Sequence, residues 1–143
     1  MKHRTIATLT IAALLSACTQ LSKQPQTLDQ KLHQAQAPDE RREVLRLGCL
    51  NEAEYTTDLK KAAHQKKYGS KRLEFVKDTE ETRKLKSLCR EMTDVTADDQ
   101  KAALAGECRK EVEAGLKSKP EYKQHYDAMQ DICMKMTVKI GRR

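Results

Sequence analysis

Four cysteines, Cys49, Cys89, Cys108 and Cys133, are spread through the second two thirds of the chain. Each falls on the apolar stripe of a different helical segment. None belongs to a short Cys-x₂₋₄-Cys pair, the spacing that a four-cysteine zinc site normally shows. In an oxidising compartment an even number of such cysteines reads as a disulfide framework, here two bridges with three possible pairings. A stapled core also suits the composition. Trp is absent, Phe occurs once and Tyr four times, so few bulky side chains are available to fill the interior, and cores of that kind are commonly cross-linked.

Helical spacing supplies the rest of the architecture. Thr27 and Gln30 have the form of a capping box, followed by Leu28, Leu32 and Ala35. Pro38 suits a first helical turn, with Asp39 and Glu40 at the positive end of the dipole. A long helix is expected from Asp39 to Lys67, with Leu45, Cys49, Ala53, Thr56, Leu59 and Ala63 as its stripe. Leu47, Leu50 and Tyr55 are expected to widen that stripe, and Gly69-Ser70 to end the helix. A second helix should start near Lys71 or at an Asp78/Glu81 capping box and carry Leu85, Leu88, Cys89 and Met92. Thr96 with Asp99 opens a third, carrying Leu104, Ala105, Cys108, Val112 and Leu116. Ser118 with Glu121 opens the fourth, with Tyr122, Tyr126, Met129, Cys133, Met136 and Ile140 in line and Gly141 at its end. No alternating β-branched run competes, so the expected fold is all-α, an antiparallel up-down four-helix bundle stapled by two disulfides.

Two echoes run through these helices. Cys49-x-x-Glu52-x-Glu54 is matched by Cys108-x-x-Glu111-x-Glu113, and Leu88-Cys89-x-x-Met92-Thr93 by Ile132-Cys133-x-x-Met136-Thr137. They suggest a duplicated αα-hairpin; chance repetition among charged amphipathic helices is the alternative. Helix rise bears on the pairing. Around Gly69-Ser70, Cys49 and Cys89 lie about 20 and 19 residues from the turn and so at nearly one height. Around Ser118, Cys108 and Cys133 are offset by about 6 to 7 Å, and Cys89 and Cys108 around Val95-Thr96 by roughly 9 Å. Because bridged Cα atoms lie within about 7 Å, Cys49–Cys89 and Cys108–Cys133 are favoured, the second with a displaced turn or some stagger.

The amino-terminal segment gives the reason to expect an oxidising compartment. Lys2 and Arg4 precede an apolar run from Thr5 to Leu15 that is too short to span a bilayer, which takes roughly 20 helical residues, and that has the form of a secretory leader. It ends in Leu14-Leu15-Ser16-Ala17-Cys18, which resembles the lipobox of bacterial lipoproteins. The resemblance implies removal of residues 1–17, lipidation of Cys18 and stable attachment to a membrane, since two or more acyl chains suffice to anchor a protein. Thr19 rather than Asp follows the cysteine, which in enterobacterial lipoproteins implies the outer membrane, with the domain in the periplasm. Residues 18–38 then form a tether with one short helix, and residues 39–143 the bundle.

Catalytic chemistry has little to work with. His33, His64 and His125 stand in no metal-binding arrangement, and there is no Gly-rich phosphate loop and no nucleophile elbow. Glu52/Glu54 and Glu111/Glu113 are two apart on a helix and do not face each other. A non-enzymatic protein without cofactor or metal is expected. Setting aside Lys2 and Arg4, 26 basic residues against 21 acidic ones give residues 18–143 a charge of +5. With so few aromatics to stack on bases, a nucleic-acid partner is not expected. Lys60, Lys61, Lys66, Lys67, Lys71 and Arg72 cluster without an acidic residue among them, and Lys117, Lys119 and Lys123 surround a later turn. Such lysines serve as a solubilising face or as an anion-facing tip that meets peptidoglycan, an acidic envelope protein or an opposed membrane. In plan the chain resembles the small helical pilotins of secretion systems, which implies an assembly accessory. Its Pro38-to-Cys49 stretch resembles surface-exclusion lipoproteins, which implies an inhibitor-type role as the alternative.

Overall fold

In a computed structural model the described residues are 25–137; the lipobox with Cys18, and Ile140 and Gly141 at the far end, lie outside them. Six α-helices and two 3₁₀ turns make up the described chain, with no strand among the described residues. They are α1 (Leu28–Gln34), α2 (Pro38–Ala53), α3 (Tyr55–Tyr68), α4 (Glu80–Asp94), α5 (Asp98–Ser118) and α6 (Lys123–Lys135), with 3₁₀ turns at Leu73–Phe75 and Pro120–Tyr122. Helix α2 packs on α4 and α6, and α5 packs on the same two, while α1 lies against α2.

Local signals explain most of the boundaries. The Thr27/Gln30 box forms in both directions, Thr27 Oγ1 accepting the Gln30 N–H and Gln30 Oε1 accepting the Thr27 N–H. Pro38 opens α2, and Glu40 Oε2 accepts the N–H groups of Gln36 and Ala37. Gly69 ends α3 at φ 74°, in the left-handed region that glycine enters without steric penalty. Three expected caps are displaced. Thr79, not Asp78, caps α4 by accepting the Thr82 N–H. Ala97 rather than Thr96 precedes α5, and Ser118 is the last residue of α5 instead of the cap of α6. At that last site the 3₁₀ turn at Pro120–Tyr122 makes the reversal.

The expected long helix from Asp39 to Lys67 is divided at Glu54. There the N–H turns to the Asn51 carbonyl at 3.3 Å, one residue closer than an α-helical bond. Neighbouring side chains leave this tightened turn for different partners. Glu52 goes to His125 on α6, Glu54 to Lys86 on α4 at 2.5 Å, and Tyr55 stacks on His125. Lys86 also reaches Asp78 at 3.1 Å, and these two carboxylates raise its pKa. Leu47 is 49% exposed rather than part of the stripe, because a residue two positions from Leu45 and Cys49 points about 200° away on a helix. Ala63 is also exposed, since α3 leaves the core after its first turn.

The core is one cluster with sulfur at its centre. Cys49, Cys89, Cys108 and Cys133 are all fully buried among Leu45, Leu85, Met92, Val112, Tyr126 and Met129. Cys49 is bonded to Cys89 and Cys108 to Cys133, with Cα separations of 5.7 and 5.9 Å. Of the two ways open to the second pair, a displaced turn or a stagger, the structure has the displaced turn: α5 continues to Ser118 and α6 starts at Lys123, so each cysteine lies ten residues from its own end of the reversal. Closing loops of these lengths stabilises by about 3.5 to 4 kcal/mol each in the chain-entropy account.

Two turns of helix beyond Cys49–Cys89 a second, non-covalent tie joins the same segments. Thr57 Oγ1 donates to Thr82 Oγ1 at 2.9 Å and accepts the Thr79 N–H at 3.0 Å. Thr79 Oγ1 donates to Thr82 at 3.0 Å, and the Thr56 hydroxyl lies 2.7 Å from Thr79 and 3.1 Å from Thr82. Thr57 and Thr82 are fully buried. Cys49 to Thr57 is eight residues and Thr82 to Cys89 is seven, so the bridge and the hydroxyl cluster agree on one register between α4 and the chain running from α2 into α3. Valine at position 82 keeps the shape but removes the acceptor on which the buried Thr57 hydroxyl and the half-buried Thr79 hydroxyl depend. Thr82→Val is therefore expected to cost about 1 to 3 kcal/mol, read as a lowered urea midpoint at unchanged slope.

Close approach of α5 and α6 requires Gly115, where an added Cβ would stand 2.4 Å from Tyr126 Cε1 and 2.7 Å from Glu81 Oε1. The Tyr126 hydroxyl and Glu81 Oε1 are both buried there without a hydrogen-bond partner among the described residues. Glu81 acts on Tyr126 as a nearby charge, and its other oxygen receives the Lys119 ammonium at 2.9 Å. Burial, and secondarily Glu81, raise the Tyr126 pKa well above the ordinary tyrosine value. A folded-state pKa above the unfolded one gives stability that is complete below about pH 10 and is lost as pH rises beyond it. Urea midpoints measured from neutral to strongly alkaline pH are expected to fall above about pH 10, and to fall less steeply in Tyr126→Phe.

Candidate functional site

Between α2 and α4 the chain makes an excursion that the core does not require. After Thr57, α3 carries no buried residue. Gly69 turns the chain, Arg72 adopts φ 72°, and the 3₁₀ turn at Leu73–Phe75 sends the connection back along α3. Lys60 Nζ closes the loop by donating to the Lys77 carbonyl at 3.2 Å. Between the two limbs lies an open groove of about 670 Å³ lined by Lys60, His64, Arg72, Phe75, Val76 and Lys77.

The chemistry of its wall is mixed. Phe75, the chain's only phenylalanine, is 70% exposed, and Tyr68 near the end of the arm is 59% exposed. Leu73 and Val76, on either side of Phe75 in the chain, are half-buried. His64 packs its ring against Tyr68, with centroids 4.8 Å apart, and its Nε2 is buried without a hydrogen-bond partner among the described residues. Cations surround this apolar strip, so the groove offers a place for an anionic group beside an apolar one. No serine, cysteine or carboxylate lines it, and it holds no acid and base pair.

Of the six basic residues that the sequence groups together, Lys60 and Arg72 line the groove. Lys66 and Lys67 stand exposed in the last helical turn of α3 and Lys71 exposed just after it. Lys61 is partly neutralised by Asp58 at 3.8 Å, and Lys67 lies over the Tyr68 ring at 5.1 Å. Around the later turn Lys119 is taken by Glu81 and Lys123 by Asp127, so that turn is less positive than the arm. Phe75, Val76 and Lys77 are groove residues that the sequence reading left out, and His64 one that it considered only as a metal ligand. The signal for three of them was an apolar pair set between Lys71-Arg72 and Lys77 in a stretch with no helical stripe.

A second polar cluster lies between α2 and α6. His125 is buried, its Nδ1 2.6 Å from Glu52 Oε1 and its ring stacked on Tyr55 at 4.4 Å, with Tyr122 edge-on to Tyr55. Its place is structural: the pair joins α2 to α6 where the first of them ends. Among the described residues no three His, Cys, Asp or Glu side chains converge as metal ligands, and no helix is long and apolar enough to cross a membrane. No family model matches the chain, and neither a curated protein nor a solved structure matches it.

Proposed function

We infer that this protein is a lipid-anchored docking module of the bacterial cell envelope, without enzymatic activity, that presents the α3 arm to an anionic partner. The single observation that carries the reading is the groove, in which Lys60, Arg72 and Lys77 surround Phe75 and Val76 on an element that leaves the core. A chain selected only for solubility has no reason to leave its one phenylalanine in water among cations. Anchoring rests on the lipobox resemblance: Cys18 carries the lipid, the outer membrane is the site of attachment and the domain lies in the periplasm. The four longest described helices apart from α3 suit an up-down bundle of two duplicated hairpins, α2 with α4 and α5 with α6, each closed by one disulfide. On that topology α2 starts at the tether and the arm projects from the opposite pole. An assembly accessory, pilotin-like in plan, accords better with an exposed recognition arm than an inhibitor of surface exclusion type, for which no particular feature speaks.

Two measurements test this. Cys18→Ala is expected to abolish labelling by palmitate analogues and to shift the protein from the outer-membrane fraction to the soluble periplasm; continued membrane fractionation with label would refute the anchor. Reversal of Lys66, Lys67 and Lys71 to Glu leaves the fold intact, because exposed sites change stability by no more than about 0.5 kcal/mol. It is expected to weaken capture of envelope partners and sedimentation with peptidoglycan, most strongly at low salt, since surface attraction fades as the Debye length shortens to about 8 Å at physiological ionic strength. Equal binding by both proteins at every salt concentration would reduce these lysines to a solubilising face.

A further inference from the structure

We propose that the partner of the arm is an anionic phospholipid surface, with Phe75 entering the lipid–water interface while the surrounding cations meet headgroup phosphates. The proposal rests on the reading of the arm as the recognition element and names what it recognises. Three features of the arm point to lipid.

The first is the aromatic pair. Phe75 and Tyr68 are the most exposed large apolar side chains among the described residues, and both belong to the arm. Aromatic rings are favoured at the boundary between headgroups and acyl chains, where burying their apolar body needs no shaped pocket. Phe75 borders an open groove and is more exposed than its half-buried neighbours Leu73 and Val76.

The second is the kind of charge. From position 59 to 77 the chain carries six lysines and Arg72 against a single carboxylate, Glu74. Lys66, Lys71, Arg72 and Lys77 meet no carboxylate among the described residues, and Lys61 alone of the seven cations has one, Asp58 at its root. Recognition of fixed carboxylates on a protein favours the planar, two-pronged guanidinium, whereas lysine is a mobile point charge on a flexible stem. A spread of lysines fits a fluid array of phosphates, near which each cation strengthens binding roughly fivefold.

The third is that one backbone device joins the two. The Gly69 and Arg72 conformations, the 3₁₀ turn and the Lys60–Lys77 hydrogen bond fold the connection so that Phe75 borders the same groove as Lys60, Arg72 and Lys77. Thr56 and Thr57 fix the arm's root to Thr79 and Thr82, so docking requires no rearrangement of the core.

The absence of tryptophan from the chain makes the test direct. The mature chain from residue 18, carrying Cys18→Ala so that no lipid of its own contributes, is given Phe75→Trp as a single reporter. It is mixed with vesicles of phosphatidylcholine alone and with vesicles containing phosphatidylglycerol as well. A blue shift of the emission and quenching by acyl-chain-brominated lipid are expected with the anionic vesicles only, and both should weaken at high salt. Adding Lys66→Glu, Lys67→Glu and Lys71→Glu should lower vesicle partitioning at least tenfold, given roughly fivefold per cation. Phe75→Ser should lower partitioning by a smaller factor and keep its salt dependence. No partitioning above that to neutral vesicles, or partitioning indifferent to these substitutions, would overturn the lipid assignment. If the charge-reversed arm at the same time loses an envelope protein or peptidoglycan, the docking reading stands with a different partner. If it loses neither, both readings fail.

Discussion

The covalent bond between Cys49 and Cys89 is the constraint from which the molecule's plan follows. It joins α2 to α4 across 40 residues of sequence at the centre of the core, and the buried threonine hydroxyls repeat the same register two helical turns further on. With both ties in place, the chain between Thr57 and Thr79 has its ends fixed and owes the core nothing. This is why a 3₁₀ turn, a positive-φ arginine and an exposed phenylalanine can exist there without cost to the core. An arm of that kind tied only by its own contacts would fray, since its backbone is exposed and its apolar contacts few.

Sulfur and small side chains make up for the shortage of bulky ones. The cluster around the bridges contains two cystines, three methionines and one fully buried ring, Tyr126, which fits only because Gly115 leaves room for it. Polar ties then set the relations between helices: Glu52 with His125 for α2 and α6, Glu54 and Asp78 with Lys86 for the root of the arm, and Lys135 with Asp29 at 2.8 Å for α1. The Lys135 ammonium, through its hydrogen bond, holds the Asp29 carboxyl below its usual range.

Helical periodicity made much of this legible beforehand. The positions of Leu45, Cys49, Leu85, Cys89, Cys108, Met129 and Cys133 on buried stripes, and the level at which the cysteines meet, follow from residue spacing and a rise of about 1.5 Å. Less legible were features in which a side chain chooses between local and distant partners. A capping-box pattern is necessary for a cap but not sufficient: Thr27 made its cap, whereas Thr96 and Ser118 did not, because the reversals at 95–97 and 119–122 placed other residues at the helix ends. The division at Glu54 had no glycine or proline to announce it, and its cause lies in residues far along the chain, Lys86 and His125. As for the site, six basic residues could be grouped by sequence, but the groove depends on the return of Phe75–Lys77 along α3, which no periodicity encodes.

Fixing both ends of an excursion by bonds that lie below it separates two kinds of selection on one chain. Within residues 79–94 nearly every apolar or hydroxyl side chain answers to the core. From 58 to 77 substitutions and even changes of length are free of that demand, because loop closure grows only slowly with loop length. The arm is thus an excursion on a fixed clasp, able to change its sequence and length while the helical core beneath it stays the same.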